Sequence, residues 1–265
     1  MGEYAGMKVA VCVKQIPDPA TPGRLDPVTS TLVRDGRLIL DDSDAYGVEM
    51  ALQLVDAAGG GAVVAVSMAP RGEAGGLRTA LAMGVARAVL VSDEALVGSD
   101  ALVTAKVLAA AVRRVEPDLV VAATESTDGY AGTVPASLAE LLGLPSVTFA
   151  RRVTVVDGAL AVERQTEGGF DEVSCPLPAL VTVTAGVVEP RYPSFKGIMA
   201  AKAKPVDQLA LADLGLGPAD VGWAGARQEI VEVVAAEERQ AGEVIEDSGD
   251  AHERIVEYLE RLKVV

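Results

Sequence analysis

Between residues 62 and 142 short apolar runs alternate with helix-patterned segments: AVVAVS (62–67), ARAVLV (86–91) and DLVVAA (118–123) frame helical stretches at 73–83, 99–114 and 133–142. Strands and helices in strict succession close only as right-handed βαβ units on a parallel sheet. Met7 to Val13 (MKVAVCV) supplies a further buried strand. Ligands of such sheets bind beyond the carboxyl ends of the strands. Four segments reach that edge: Cys12–Pro17, Asp41–Asp44, Ser67–Gly72 and Thr124–Val134. Half of the chain is hydrophobic but only 3% is aromatic, so the core must be aliphatic layers of strands covered by helices.

The flanking segments read differently. TLVRDG and RLIL form plausible hairpin arms around Asp35-Gly36. Residues 44–57 place Val48, Ala51, Leu52 and Val55 on one helical face, with Asp41, Asp42, Ser43 and Asp44 as N-cap candidates. From Ser146 to Thr184 short β-like runs with turns at Asp157-Gly158 and Gly168-Gly169 predict antiparallel hairpins extending the sheet. A proline-punctuated segment, EPRYPSFKG (189–197), leads into a short helix, IMAAKAK. An α/β domain over 1–222 and a C-terminal arm over 223–265 are expected, the arm ending in an amphipathic helix with Ile255, Val256, Leu259 and Leu262 on one face. That face either docks on another subunit or packs back on its own domain.

A formal charge of -15 repels phosphate backbones and anionic lipid, so neither nucleic acid nor membrane is an expected partner. Cys12 and Cys175 lie in apolar stretches without CxxC spacing, which points to reduced thiols and a cytoplasmic setting. No apolar run reaches membrane-spanning length, and residues 1–6 read as a short leader. His252, the one histidine, falls in the acidic tail, which leaves the α/β layer without a Ser-His-Asp or Cys-His arrangement or a histidine metal cluster. A carrier role without catalytic residues is favoured by elimination.

The segment ESTDGYAGTVPASLAELLG (125–143) runs from the end of an apolar strand into a helix. Free amides at a helix N-terminus attract anions, and Gly129 and Gly132 allow a phosphate to come close. Ser126, Thr127 and Thr133 offer hydroxyls. An ordinary βα turn has the same composition, and neither a Walker A nor a GxGxxG pattern is present. The acidic turn LDDSDAY (40–46) could reach a ribose or base, or simply cap its helix; three adjacent carboxylates rarely converge on one metal ion.

KVAVCVKQIPD (8–18), RTALAMG (78–84), ESTDGYAGTVPASLAELLGLP (125–145), VERQTEGGFDEVSCPLPALVTV (162–183) and EPRYPSFKGIMAAKAK (189–204), in that order, give the chain a near full-length resemblance to electron-transfer flavoprotein β subunits. The resemblance implies a three-layer α/β fold, mostly parallel, of the adenine-nucleotide-binding (α-hydrolase-like) type. It implies AMP in this subunit and FAD held mainly by an α subunit, which the C-terminal arm embraces. Electrons would come from acyl-CoA or other dehydrogenases, as in fatty acid oxidation, and pass to a quinone reductase or other acceptor. Carried over by position, the AMP pocket comprises Cys12, Asp41, Asp42, Ser43, Asp44, Met68, and Asp128, Gly129, Tyr130, Ala131, Gly132, Thr133, Val134, Pro135, Ala136, Ser137, Leu138 and Ala139, with the phosphate on amides near Gly132, Thr133 and Val134. Phe195 would be the apolar anchor gripped by a dehydrogenase, beside Tyr192, Ile198 and Met199, unless it is buried in its own domain.

Some positions depart from the better-known animal members. Asp41-Asp42-Ser43-Asp44 replaces Asn-Pro-Phe-Cys, and Pro19 and Ser43 stand in place of aromatics that approach the flavin. PVTSTLVRDG (27–36) and DDSD are similar to the clostridial branch, which leaves open an electron-bifurcating type with a second FAD in place of AMP. A stand-alone adenine-nucleotide-binding protein of the stress type shares the fold class, but it explains neither the arm nor the EPRYPSFKG segment.

Overall fold

The computed structural model describes residues 6–234, 242, 244, 246, 247 and 249–264. These fall into two compact units, Met1–Ile230 and Val231–Val265.

In the first unit β1 (Met7–Cys12) leads into a small antiparallel pair, β2 (Gln15–Pro17) with β3 (Leu38–Leu40), and then α1 (Asp42–Ala57). The alternation follows as β4 (Gly61–Ala69), α2 (Gly75–Met83), β5 (Arg87–Ser92), α3 (Ala101–Val115), β6 (Leu119–Ala123) and α4 (Val134–Leu142). β7 (Ser146–Val156), β8 (Ala159–Thr166), β9 (Gly169–Pro176), β10 (Ala179–Val183), α5 (Phe195–Ala201), β11 (Val206–Leu209) and a single turn, α6 (Gly222–Gly225), complete the unit.

The large sheet runs β11-β5-β4-β1-β6-β10-β7-β8-β9. All its pairings from β11 to β7 are parallel, and β7-β8-β9 is antiparallel. Strand parity divides the core in two. Val9, Val11, Val63, Ala65 and Val121 pack with Val48, Leu77 and Leu81 from α1 and α2, whereas Ala10, Val64, Val66, Val89 and Val120 pack with Val103, Val107 and Leu138 from α3 and α4. Helices therefore cover both faces of the strands, which is why those strands read as continuous apolar runs.

Two expectations need correction. The arms around Asp35-Gly36 do not pair as a hairpin: Leu38–Leu40 pairs instead with Gln15–Pro17, and Leu32 bridges to Leu25. The turn is present, with Gly36 at φ +88°, but Gln15–Pro17 offers the backbone edge that Leu38–Leu40 completes. Residues 146–183 also do not form one antiparallel extension, because β10 crosses back to lie parallel between β6 and β7. Its side chains are buried throughout, which suits an interior parallel strand.

β1 is flanked by β4 on one side and β6 on the other. The chain winds away from it in both directions, so the sheet has its topological switch point there. The ends of β1, β4 and β6 and the start of α1 meet at this crevice. α2 approaches closely: a Cβ on Gly76 would lie 2.7 Å from the Leu40 backbone nitrogen.

In the second unit α7 (Ala251–Arg261) has no buried residue, and Ile255, Val256 and Tyr258 on it are half exposed, as is Leu262 just beyond it. The expected arm includes residues 235–241, 243, 245, 248 and 265, which lie outside the described residues, as do residues 1–5 of the expected leader.

Candidate functional site

Asp41, fully buried, caps α1 through Oδ1, which accepts from the Ser43 amide at 2.9 Å. Its Oδ2 accepts from the Thr127 amide at 2.7 Å and hydroxyl at 3.2 Å, tying α1 to the loop after β6. Asp44, also buried, accepts from the Lys14 amide at 2.6 Å. Burial pushes the Asp44 carboxyl well above the usual carboxylate range; the Lys14 amide and charge oppose the rise, and Asp41 and Asp128 reinforce it. Asp42 is exposed. The acidic turn is thus mainly an architectural brace between α1, β1 and the loop.

Asp128 opens the glycine-containing part of that loop, and its carboxylate is enclosed by two cations. Lys14 Nζ lies 2.5 Å from Oδ1, and Arg34 donates to Oδ2 at 2.7 Å. Burial raises its carboxyl, but Lys14 and then Arg34 outweigh it and hold Asp128 below the usual range. Lys14 also donates to Ser126 Oγ at 3.2 Å. Of the three expected hydroxyls, Ser126 and Thr127 are therefore engaged within the chain, and Thr133, the N-cap of α4, makes no side-chain capping bond.

Residues 129–133 are exposed, and Tyr130 adopts a left-handed φ of +49°. The Tyr130 amide donates to Ser126 O, the Thr133 amide to Ala131 O and the Ser137 amide to Thr133 O. Among the described residues the amides of Gly132, Val134 and Ala136 have no backbone acceptor, as the first turn of a helix requires. Pro135, with no N–H to satisfy, sits in this first turn. A Cβ on Gly132 would be in ordinary contact with Thr124 O at 3.5 Å and with Glu125 Cβ and Oε2 at 3.8 Å, so a small side chain could be added there without a clash.

Of the remaining expected residues, Cys12 and Met68 lie near strand ends and the rest on α4 and its loop. Cys12 ends β1, buried, and burial followed by the Asp44 charge pushes its thiol up to about 12, so it stays neutral. Met68 lies on β4, partly exposed, and packs against the α3 side of the core. Pro135, Leu138 and Ala139 are buried and anchor α4, while Ala131 and Ala136 are exposed and Ser137 is partly covered. Ser67 Oγ, next to Met68, is buried without a hydrogen-bond partner. Strand parity puts Ser67 on the α1 and α2 face, opposite Met68, so it does not join this crevice.

Lys14 and Arg34 were absent from the residues read off the sequence. A lysine ending an apolar strand is a signal for Lys14; Arg34 offers none, because its partner is 94 positions away. Lys14 and Arg34 share Asp128, while Asp41 bonds Thr127 and the Glu125 carboxylate lies beside Gly132, so what suits a phosphate here is the set of unpaired amides at the helix start.

Phe195 and Tyr192 lie apart from the crevice. They are 81% and 93% exposed, with Ile198 and Met199 about half exposed. Phe195 is not in a loop but opens α5, where Ser194 caps by accepting from the Gly197 amide at 3.0 Å.

The fold is that of a three-layer, doubly wound α/β protein, a class whose ligands bind at the switch point of the sheet. A family model described as the electron transfer flavoprotein domain matches residues 29–214. The chain is 38% identical to electron transfer flavoprotein subunit beta of Mycobacterium tuberculosis over 263 residues, 97% of this chain and 99% of the relative. The Mycobacterium leprae subunit is 39% identical over the same shares. Caffeyl-CoA reductase-Etf complex subunit CarD of Acetobacterium woodii is 34% identical over 241 residues, 90% of this chain and 92% of the relative. The chain belongs to the electron transfer flavoprotein family, among its β subunits.

Proposed function

We propose that this chain is the nucleotide-carrying half of a heterodimeric electron carrier. AMP sits in the switch-point crevice, an α subunit supplies most of the FAD site, and electrons pass from acyl-CoA or other dehydrogenases to a quinone reductase or another acceptor. One observation carries the reading. Asp128, with Lys14 and Arg34, and Asp41, through Thr127, hold the 124–134 loop in place, while among the described residues the amides of Gly132, Val134 and Ala136 have no acceptor in the chain.

These residues fit an adenine nucleotide. Gly132, Val134 and Ala136 would hold the phosphate by backbone amides, with Lys14 adding positive charge. Cys12 and Met68 would flank the base with apolar surface, and Asp41 would keep the loop in register through Thr127. The flavin, when bound, supplies the electron chemistry, and the chain contributes position and shielding. No catalytic residue is assigned. Phe195 would be the apolar anchor for the dehydrogenase: burying a phenylalanine contributes roughly 1.5–3 kcal/mol, on the order of ten- to a hundredfold in affinity.

A second reading has specific support. One relative, 34% identical, is named as part of a caffeyl-CoA reductase–Etf complex. The second reading is the bifurcating type, with FAD in place of AMP. A stand-alone nucleotide binder leaves Phe195, Tyr192 and the α7 face without a role.

Co-expression with the neighbouring α subunit, followed by mixing with an acyl-CoA dehydrogenase and its substrate, tests the carrier role. Bleaching of the heterodimer's flavin is expected; a flavin that dithionite reduces but no dehydrogenase in a broad panel does would overturn it.

A further inference from the structure

Glu49 is a carboxylate in the middle of α1, only 3% exposed. Its cation comes from far along the chain. Arg191 donates through Nε to Oε2 at 2.6 Å and through Nη2 to Oε1 at 3.0 Å, while its backbone amide lies 3.3 Å from Oε2. Gln53 Nε2 adds a fourth bond at 2.8 Å. Burial raises the Glu49 carboxyl, yet the bonds from Arg191 and Gln53 outweigh it and hold the group below the usual glutamate range.

Arg191 directly precedes Tyr192, and Pro190 and Pro193 limit the backbone on either side. Beyond Phe195 the chain is seated again: a Cβ on Gly197 would lie 2.5 Å from Ala82 O, so α5 rests directly on the α2 backbone. Arg78 Nη1 then donates to Ala201 O and Lys204 O, each at 2.7 Å. The two most exposed aromatic side chains of this segment thus project between two fixed points, the Glu49 fork and the Gly197 contact. Glu49 is buried, but the Arg191 side chain is 41% exposed and also lies 3.9 Å from Asp56, so the pair adds little net stability, whereas its fork geometry narrows the arrangement of the segment.

We propose that the Glu49–Arg191 pair is a positioning device that sets the direction in which Tyr192 and Phe195 meet an electron-donating dehydrogenase. The inference rests on the reading of Phe195 as the partner anchor. Without the fork the segment must be ordered at each docking event, which weakens the encounter and leaves the flavin untouched.

The test uses the full heterodimer with the acyl-CoA dehydrogenase that reduces the wild type fastest. Arg191→Lys keeps the charge and loses the fork, and the double variant Glu49→Met with Arg191→Met replaces the pair by apolar packing, which avoids stranding a buried charge. Both should raise the KM for the flavoprotein by roughly three- to tenfold, the equivalent of re-ordering one or two side chains on docking, with kcat and flavin content unchanged. Phe195→Ala is measured alongside. If Phe195→Ala raises KM but both pair variants stay within about twofold of wild type, the positioning role is overturned and the anchor stands. If Phe195→Ala itself has no effect, the anchor reading falls and takes this inference with it. Lower thermal midpoints in the pair variants with KM unmoved would mark the pair as structural only and also overturn the proposal.

Discussion

Asp44 and Asp128 lie close enough to repel one another, yet their carboxyls move in opposite directions. Asp44 is raised because burial dominates, so its contribution to stability is present below the unfolded aspartate value of about 3.9 and is lost as pH rises through its higher folded value. Asp44→Asn, which can still accept from the Lys14 amide, should therefore gain on wild type in thermal midpoint as pH rises from about 5 to 8; a pH-independent difference would contradict the buried-carboxyl assignment. Asp128 is held low by its cations, so its contribution is present above the unfolded value and fails only as pH falls through the lower folded one. Among the described residues, Arg34 makes the hydrogen bond that joins the 19–36 excursion to the nucleotide loop. With Arg34 partly exposed, the tie should contribute about 1 kcal/mol or less, and Arg34→Ala should speed proteolytic cleavage within 19–36 severalfold. Equal cleavage rates would mean that the excursion stands by itself. Neither ion pair of Asp128 was legible in the sequence, because charge pairing over 94 and 114 positions depends on the sheet order that brings strand ends together.

At the scale of elements, the loop before α4 and the start of α2 respond differently to glycine substitution. Gly132→Leu adds a side chain at an exposed position whose Cβ meets only ordinary contacts, so the fold should persist by circular dichroism while bound nucleotide is lost; variant protein that retains stoichiometric nucleotide would remove the loop from the site. Gly76→Ala meets the β3 backbone at once and should cost about 1–3 kcal/mol, visible as a lower thermal midpoint whether or not nucleotide is bound. The β1-to-α4 alternation was readable because buried parallel strands and amphipathic helices differ in period. The position of β10 was not, since a five-residue run with four apolar residues fits a hairpin arm as well as an interior parallel strand. Leu38–Leu40 was read as pairing across Asp35-Gly36 for a related reason: the turn signal was genuine, but Gln15–Pro17 supplied the strand edge.

For the whole molecule, the net charge of -15 and the amphipathic α7 bear on assembly. A helix with half-exposed Ile255, Val256 and Tyr258 is suited to lie in a groove of a partner, and the α subunit is the proposed one. Deleting residues 236–265 should weaken the heterodimer on gel filtration at low micromolar concentration while AMP stays bound; an undiminished heterodimer would contradict that docking. The loop that carries the nucleotide reading was legible from composition and position, whereas the ties that hold it, Asp41 to Thr127 and Lys14 and Arg34 to Asp128, were visible only in the fold.

The most direct test of the nucleotide-carrying role is the ligand content of the purified wild-type heterodimer, released by denaturation and resolved against AMP, ATP and FAD standards. One AMP and one FAD per heterodimer are expected. A heterodimer with FAD alone at one equivalent, and no second nucleotide of any kind, would contradict it.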